Sequence, residues 1–459
     1  MLDIRFSHAL FLIGTLIVLL SSCSSDGEPD PVNPVIDPAD KLPIVEINTL
    51  GNVVVDEPKV SAEMLITQNT DTIYDGRTGI EFRGASSQAL FPKKSYGLEL
   101  WDENDEDTKA SIFDMPEEED WILHGPYSDK SLLRNKLIYD LSRSMGRYAS
   151  RTQIVDLKIN DAALGVYIFM EKLKRDGERI DINKLKEDEN EGEDVTGGYI
   201  LKIDKTAGNN LGEGYNSQNS FTSAYAPVNA SNDQSIYFLY EYPDAEDITN
   251  PQRDYISSYI QDFEAALASD DFADPELGYR PYVDVSSFID FFILNEISNN
   301  VDGYRLSTFM HKDKNGPLTM GPIWDFNLAF GNADYCNGGA SDVWSFKFNE
   351  RCPNDFWLAP FWWERLMEDP AFVTELQSRW TALRVNILST GQVLSMMDQD
   401  IAMMTKAGAI NENFSIWSVL GSYVWPNNFV GSSYDAEVQY MKDWITNRLQ
   451  WMDGAIMAL

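Results

Sequence analysis

Two carboxylates, Asp302 and Asp325, stand at the two ends of a predicted β-hairpin. Strand-like residues 306–312 and 317–325 flank the turn 313–316, which is the pattern of a hairpin. Because a hairpin brings its two ends together, we expect the two carboxylates to meet over a shared ligand. One could orient or deprotonate a nucleophile while the other holds a metal, as phosphoryl transfer requires. Both acids could instead be turn formers or helix caps.

The elements around this hairpin follow a definite order. An apolar helix is predicted at 285–299, just before Asp302, and Phe326 follows Asp325 directly. This order of helix, loop aspartate, hairpin and Asp-Phe pair matches the layout of a kinase catalytic loop followed by a metal-binding motif. Asn327, two residues beyond Asp325, offers a further oxygen ligand.

The rest of the chain separates into a strand-rich half and a helical half. Short β-type runs are predicted at 44–47, 51–55, 61–67, 79–83, 96–100, 154–159, 165–170 and 198–203, and an amphipathic helix at 131–145. Further helices are predicted at 253–268, 285–299, 361–367, 371–388, 391–407 and 435–459. Acidic runs such as 102–107 and 117–120 are expected to be solvated loops.

These patterns predict an α+β fold of two lobes. The strand-rich amino lobe is expected at 41–205, a loop or flap and linker at 206–250, and a helical carboxyl lobe with the catalytic hairpin at 251–459.

The amino terminus has the features of an export signal. Arg5 precedes an apolar run at 9–20, too short to span a bilayer but suited to a secretory signal over residues 1–22. The run ends in Leu-Ser-Ser-Cys, which resembles a bacterial lipobox and makes Cys23 the predicted lipidation site. Residues 23–40 are acidic and Pro-rich, as in a flexible tether. We therefore expect a lipid-anchored protein of the cell envelope, in the outer membrane, with exposure at the cell surface as one of the open alternatives.

Composition excludes several classes of function. Acidic residues outnumber basic ones 73 to 36, for a net charge of -37, so nucleic acid is excluded as a partner. With three Cys and three His, a zinc finger, an iron-sulfur cluster or a multi-His centre is also excluded. Cys336 and Cys352 could close a loop as a disulfide in an oxidising compartment, and two unpaired buried thiols are the alternative.

Several short segments, in a specific order, resemble the CotH kinase family, the atypical kinases named for a spore coat protein. They are Phe-Arg-Gly-Ala-Ser-Ser at 82–87, Pro-Lys-Lys-Ser-Tyr at 92–96, Ser-Leu-Leu-Arg-Asn-Lys at 131–136, Gly-Val-Tyr at 165–167 with Glu-Lys at 171–172, Gly-Gly-Tyr at 197–199, and Trp-Asp-Phe at 324–326. The resemblance spans about residues 80–379. It implies a protein-kinase-like fold, ATP with Mg²⁺ or Mn²⁺ as cofactors, and Ser or Thr of a secreted or surface protein as substrate.

The resemblance also assigns roles to individual residues. Asp302 is implied as the catalytic base or orienting carboxylate, and Asp325 as the metal ligand. Ser307 and Asn327 stand where many members carry Asn and Asp, and they are weaker, neutral oxygen ligands for a metal.

A kinase also needs a cation for the nucleotide phosphates. Lys202 is our first candidate, with Glu171 or Lys172 as its companion. Arg83 and Gly84 form a strand-to-loop transition where backbone amides could approach phosphate. We interpret Arg134 and Asn135 as structural residues that fix their helix to the active site.

Two other functions remain open from the sequence. The chain could be a surface adhesion or assembly protein that keeps a kinase-like scaffold without turnover. It could also bind or cleave glycans, since exposed aromatic residues stack on sugars. The candidate residues for that role are Trp357, Trp362, Trp363 and Trp380, although their positions in or beside predicted helices favour core packing.

Overall fold

The computed structural model describes residues 40–206 and 214–459. The predicted signal peptide, the lipidation site Cys23, the tether up to residue 39 and residues 207–213 of the predicted flap lie outside the described residues. Among the described helices, each is too short or too polar to cross a membrane.

Seven strands close into a barrel. In chain order they are β1 (Ile44–Asn48), β2 (Val60–Gln68), β3 (Asp71–Arg83), β4 (Ser95–Trp101), β5 (Asp120–His124), β6 (Thr152–Ile159) and β7 (Ala162–Glu171). Their order around the barrel is β1-β2-β3-β4-β5-β7-β6, and β1 closes it by pairing parallel to β6. Its interior is filled by apolar side chains such as Ile80, Leu98, Trp121 and Phe169, each buried. Two helices interrupt the strand series, α1 (Ser86–Leu90) and α2 (Arg134–Ser144).

Five more strands form a second sheet. They are β8 (Tyr199–Ile203), β9 (Ser220–Thr222), β10 (Tyr237–Tyr242), β11 (Thr308–Lys312) and β12 (Leu318–Met320), in the order β12-β11-β8-β10-β9. The predicted hairpin is present as β11 and β12, with Met310 opposite Met320. It pairs with β8, so the strand that carries Lys202 lies beside the hairpin.

The remaining helices are α3 (Asn250–Ala268), α4 (Val285–Ser298), α5 (Phe348–Arg351), α6 (Trp362–Leu366), α7 (Pro370–Arg384), α8 (Thr390–Lys406), α9 (Ala409–Ile416) and α10 (Tyr434–Met457). Helix α4 is buried from Ser287 to Ser298 and leads into the loop that holds Asp302. Its Glu296 forms a fully buried ion pair with Arg448 of α10, at 3.0 Å between Oε2 and Nη2. This pair fixes the carboxyl end of α4 against the last helix. The predicted α+β fold is confirmed.

Three local predictions were wrong. Residues 51–55 form no strand, and β5 begins at the end of the acidic run 117–120 that was predicted to be a solvated loop. Glu118 and Asp120 of this run are buried, and Lys174 pairs with them at 3.2 and 2.8 Å. Lys109 also pairs with Glu118 at 3.3 Å and Lys172 with Asp120 at 3.2 Å. Strands β9 and β10 lie within the range 206–250 that was predicted to be a loop or flap.

Candidate active site

Asp302 and Asp325 lie at the same open end of the hairpin. Asp302 is in the loop between α4 and β11, and Asp325 follows β12. Burial, followed by the neighbouring carboxylates of Asp302 and Asp204, raises the pKa of Asp325 to about 7. Nearby Lys205 and Arg83 act in the opposite direction. The hairpin therefore brings together the two carboxylates that the sequence placed at its ends.

Helix α2 fixes the turn that carries Asp325. The Asp325 backbone has a positive φ of 58°, a strained region for a residue with a side chain, and its amide donates to the Tyr139 hydroxyl at 3.0 Å. The amide of Phe326 donates to Asn135 Oδ1 at 2.7 Å. Arg134 Nε donates to the carbonyl of Ala329 at 2.9 Å. Arg134 and Asn135 thus bind the main chain of the 325–330 segment.

A third carboxylate, Asp204, faces the other two, and sequence reasoning missed it. Ile203 pairs with Thr308 in the sheet, so the next residues in line are Asp204 and Ser307. The Ser307 amide donates to the Asp204 carboxylate, as does the amide of Lys205 at 2.8 Å. Burial raises the pKa of Asp204, and Asp302 adds to that rise. The sequence did contain a signal for Asp204. Lys202 and Asp204 are alternate residues at the end of one predicted strand, and alternate residues of a strand share a face.

Lys202 lies beside Asp204, and its ion-pair partner is Glu241 on β10, with 2.7 Å between Nζ and Oε2. Burial disfavours the charged Lys202, but Glu241 and Asp204 outweigh this, and the pKa of Lys202 lies above its usual value. Arg83 lies nearby, with its guanidinium 5.7 Å from the centre of the Trp324 ring. Burial lowers the pKa of Arg83, against the opposing effect of Glu241 and other carboxylates that include Asp325.

The prediction that Glu171 or Lys172 accompanies Lys202 was wrong. Glu171 is fully buried and pairs with Arg151, with 2.7 Å between Oε1 and Nη1. Lys172 pairs with Asp120 at 3.2 Å. Both residues lie at the end of β7 in the barrel, whereas Lys202 lies in the second sheet beside β10.

The other predicted site residues border the carboxylate group. Ser307 and Asn327 are half-buried, and Ser307 has a positive φ of 47° that turns its amide toward Asp204. The carbonyl of Asn327 accepts from Asn332 Nδ2 at 2.8 Å. Gly84 follows Arg83 at the end of β3 with φ of 99°, a conformation that favours glycine.

The donors at the hairpin end are of the type that Mg²⁺ and Mn²⁺ prefer. Asp204, Asp302 and Asp325 supply carboxylate oxygens, and their mutual repulsion is what a divalent cation would relieve. A tighter carboxylate group exists in the barrel, where oxygens of Glu118, Glu119 and Asp120 lie within 4.8 Å of one another. There the Lys174 ammonium contacts all three at 3.2, 2.6 and 2.8 Å. Lys109 pairs with Glu118 and Glu119 at 3.3 and 3.1 Å and Lys172 with Asp120 at 3.2 Å, so three side-chain cations already balance that charge.

The tryptophans proposed for glycan stacking are mostly in the core. Trp362, Trp363 and Trp380 are 0%, 1% and 2% exposed. Trp357 is half-buried close to the site, where Lys205 Nζ lies 5.1 Å from its ring centre. This placement favours core packing for three of the four.

Cys336 and Cys352 are joined by a disulfide, with their Cα atoms 5.9 Å apart. The bond ties the loop after the Asp325 segment to the end of α5.

Comparison with known protein families supplies an independent finding. Residues 80–452 match the family model described as CotH kinase protein. No curated protein gives a significant match to this chain.

Proposed function

The chain belongs to the CotH kinase protein family, and on this premise we propose that it transfers the γ-phosphate of ATP to Ser or Thr of a secreted or surface protein. The observation that carries the proposal is the convergence of Asp302, Asp325 and Asp204 at one end of the hairpin, next to the Lys202–Glu241 ion pair. Phosphoryl transfer is catalysed mainly by positioning and by charge stabilisation, and these groups are suited to both.

Each group has a role in this proposal. Asp302 orients the acceptor hydroxyl or accepts its proton. Lys202 binds phosphate oxygens and is kept in place by Glu241, while Arg83 supplies a second positive charge.

Asp325 and Asp204 are the residues that would hold Mg²⁺ or Mn²⁺, with Ser307 and Asn327 as candidate neutral ligands. A divalent cation, when bound, neutralises phosphate charge. The clustered carboxylates fit such a cation, because burial and neighbouring negative charge make the ionised form of Asp325 unfavourable without one.

We further propose that the chain is lipid-anchored through Cys23 in the cell envelope, in the outer membrane and facing outward. The lipobox-like Leu-Ser-Ser-Cys ending and the acidic tether after it support this proposal.

The direct test of the activity is transfer of ³³P from [γ-³³P]ATP to myelin basic protein, a general acceptor rich in basic residues. We expect Mg²⁺-dependent transfer, and a loss of at least about 100-fold in Asp302→Asn. Asp262→Asn on α3, an exposed carboxylate, is the matched control and should transfer normally. Equal rates in wild type and Asp302→Asn would contradict the assignment of Asp302.

A further inference from the structure

Arg305 makes a direct ion pair with Asp302. Its side chain is 3% exposed, and Nη2 donates to Asp302 Oδ1 at 2.9 Å. Its Nε donates to the carbonyl of Val301 at 2.6 Å, which ties the same side chain to the loop around Asp302. A buried guanidinium in this position restricts the rotamers of the carboxylate that it holds.

Arg305 is itself held from a different part of the chain. Its Nη1 donates to Asp355 Oδ1 and to the carbonyl of Trp357, each at 3.2 Å. Its guanidinium lies 4.1 Å from the centre of the Phe348 ring. The Tyr335 side chain also hydrogen-bonds with Arg305. All of these groups come from the 335–357 segment.

The Cys336–Cys352 disulfide lies close to two of the residues that contact Arg305, Tyr335 and Asp355. Cys336 is adjacent to Tyr335, and the Asp355 amide donates to the carbonyl of Cys352 at 3.0 Å. Arg351 adds a second link, because its Nε donates to the carbonyl of Cys336 at 3.1 Å. Tyr335 is supported from the outside by Trp425, whose ring stacks on it with centres 6.1 Å apart. The disulfide therefore fixes both the hydroxyl and the carboxylate that bind Arg305.

We infer that Arg305 is a positioning residue for Asp302, and that the Cys336–Cys352 disulfide holds Arg305 in place through Tyr335 and Asp355. The inference rests on the proposed function, in which Asp302 acts on the acceptor hydroxyl. A displacement of about 1 Å at a catalytic group can cost about 100-fold in rate. Since disulfides persist in oxidising compartments, the geometry of Asp302 depends on a bond suited to the proposed location outside the cytoplasm.

The test compares variants along this chain of contacts in the full-length protein. The variants are Cys336→Ser with Cys352→Ser, Tyr335→Phe, Arg305→Lys and Arg305→Gln. The readouts are kcat for phosphate transfer from MgATP to myelin basic protein, KM for ATP, and the melting temperature. Arg280→Lys is the matched control, because Arg280 also bridges two carboxylates, Asp369 at 3.2 Å and Glu375 at 2.9 Å, which are different from those that Arg305 binds.

We expect the double cysteine variant to lose about 10- to 100-fold in kcat with KM for ATP within about twofold. Arg305→Gln should lose at least as much of the wild-type kcat. Arg305→Lys should retain a larger part of that kcat, although the two Arg305 variants have the same melting temperature. A purely structural role would move the melting temperature and would not separate Lys from Gln. Tyr335→Phe removes only one hydroxyl, so it tests the link between the disulfide and Arg305 if the double cysteine variant does not fold.

Retention of wild-type kcat by the folded double cysteine variant or by Tyr335→Phe would overturn the disulfide part of the inference. Equal rates for Arg305→Lys, Arg305→Gln and wild type would overturn the role of Arg305. Both outcomes leave the proposed kinase function intact. If the wild type neither binds ATP nor transfers phosphate, the proposed function fails, and the inference fails with it.

Discussion

Lys202 Nζ lies 2.7 Å from Glu241 Oε2, and this ion pair joins the neighbouring strands β8 and β10. The pair holds the lysine ammonium beside Asp204, at the sheet end where Asp302 and Asp325 meet. A lysine that is fixed by a carboxylate on an adjacent strand can bind phosphate without reorganising.

Glu241→Gln should therefore raise KM for ATP by about tenfold, which corresponds to about 1.4 kcal/mol, with a smaller change in kcat. Without its partner, Lys202 is left to pair with Asp204 and is drawn away from the phosphates. Steady-state kinetics with varied MgATP measures this. Glu246→Gln, an exposed carboxylate five residues on, is the control and should leave KM unchanged.

Glu171→Gln should affect stability and not nucleotide binding. Glu171 is fully buried and accepts hydrogen bonds from the Arg151 side chain, the Arg151 amide and the Tyr148 hydroxyl. Removing its charge leaves Arg151 with a weaker partner, at a cost of about 2 to 4 kcal/mol in the free energy of unfolding. Urea unfolding measures that cost. A rise in KM for ATP at unchanged stability would show that Glu171 belongs to the nucleotide site after all.

The pKa of Asp325 gives the stability a definite pH dependence. Its folded-state pKa of about 7 lies above the ordinary value, so between about pH 4 and 7 the folded protein binds more protons than the unfolded chain. Stability from this group is therefore present at low pH and is lost as the pH rises to about 7. In EDTA at pH 8, Asp325→Asn should be more stable than wild type by on the order of 2 kcal/mol.

The advantage of Asp325→Asn should shrink as the pH falls to about 4, because the folded wild-type carboxyl is then protonated and no longer carries a buried charge. Adding Mn²⁺ at pH 8 should stabilise the wild type and reverse the order, because the cation binds the ionised carboxylate. Thermal unfolding at the two pH values measures both effects. A wild type more stable than Asp325→Asn at pH 8 in EDTA would contradict the environment described for this carboxyl.

Cys23→Ser should release the chain from the membrane fraction. The prediction rests on the lipobox-like residues before Cys23, since a lipid-modified cysteine is what would anchor the chain. Fractionation after labelling with radioactive palmitate measures both the modification and the location. Cys336→Ser, in the disulfide, is the matched control and should stay in the membrane fraction. Unlabelled wild-type protein in the soluble fraction would contradict the anchor.

Sequence patterns predicted the hairpin and its two aspartates, because both depend on local signals. These signals all lie within about forty residues: the apolar helix, the turn at 313–316 and the strand-like alternation on each side of that turn. The pairing of β11 with β12 and the approach of Asp302 to Asp325 follow from that local geometry.

The residues that sequence reasoning missed depend on contacts between distant segments. Glu241 meets Lys202 only because β10 pairs with β8, and the Gly-, Asn- and Ser-rich residues before β10 favoured a loop. The aromatic run at 237–242 was the signal for a strand there. Arg305 lies only three residues after Asp302, but the groups that hold it, Tyr335 and Asp355, follow it by 30 and 50 residues.

The most direct test of the kinase assignment is a titration of the purified chain with ATP, with and without Mg²⁺, alongside Asp302→Ala and Asp325→Ala. We expect Mg²⁺-dependent binding that is lost in Asp325→Ala and retained in Asp302→Ala, because of these two residues only Asp325 is assigned to the metal. Absence of nucleotide binding by the wild type under every condition would contradict the account, and would leave an adhesion or glycan-recognition protein on a kinase-like fold.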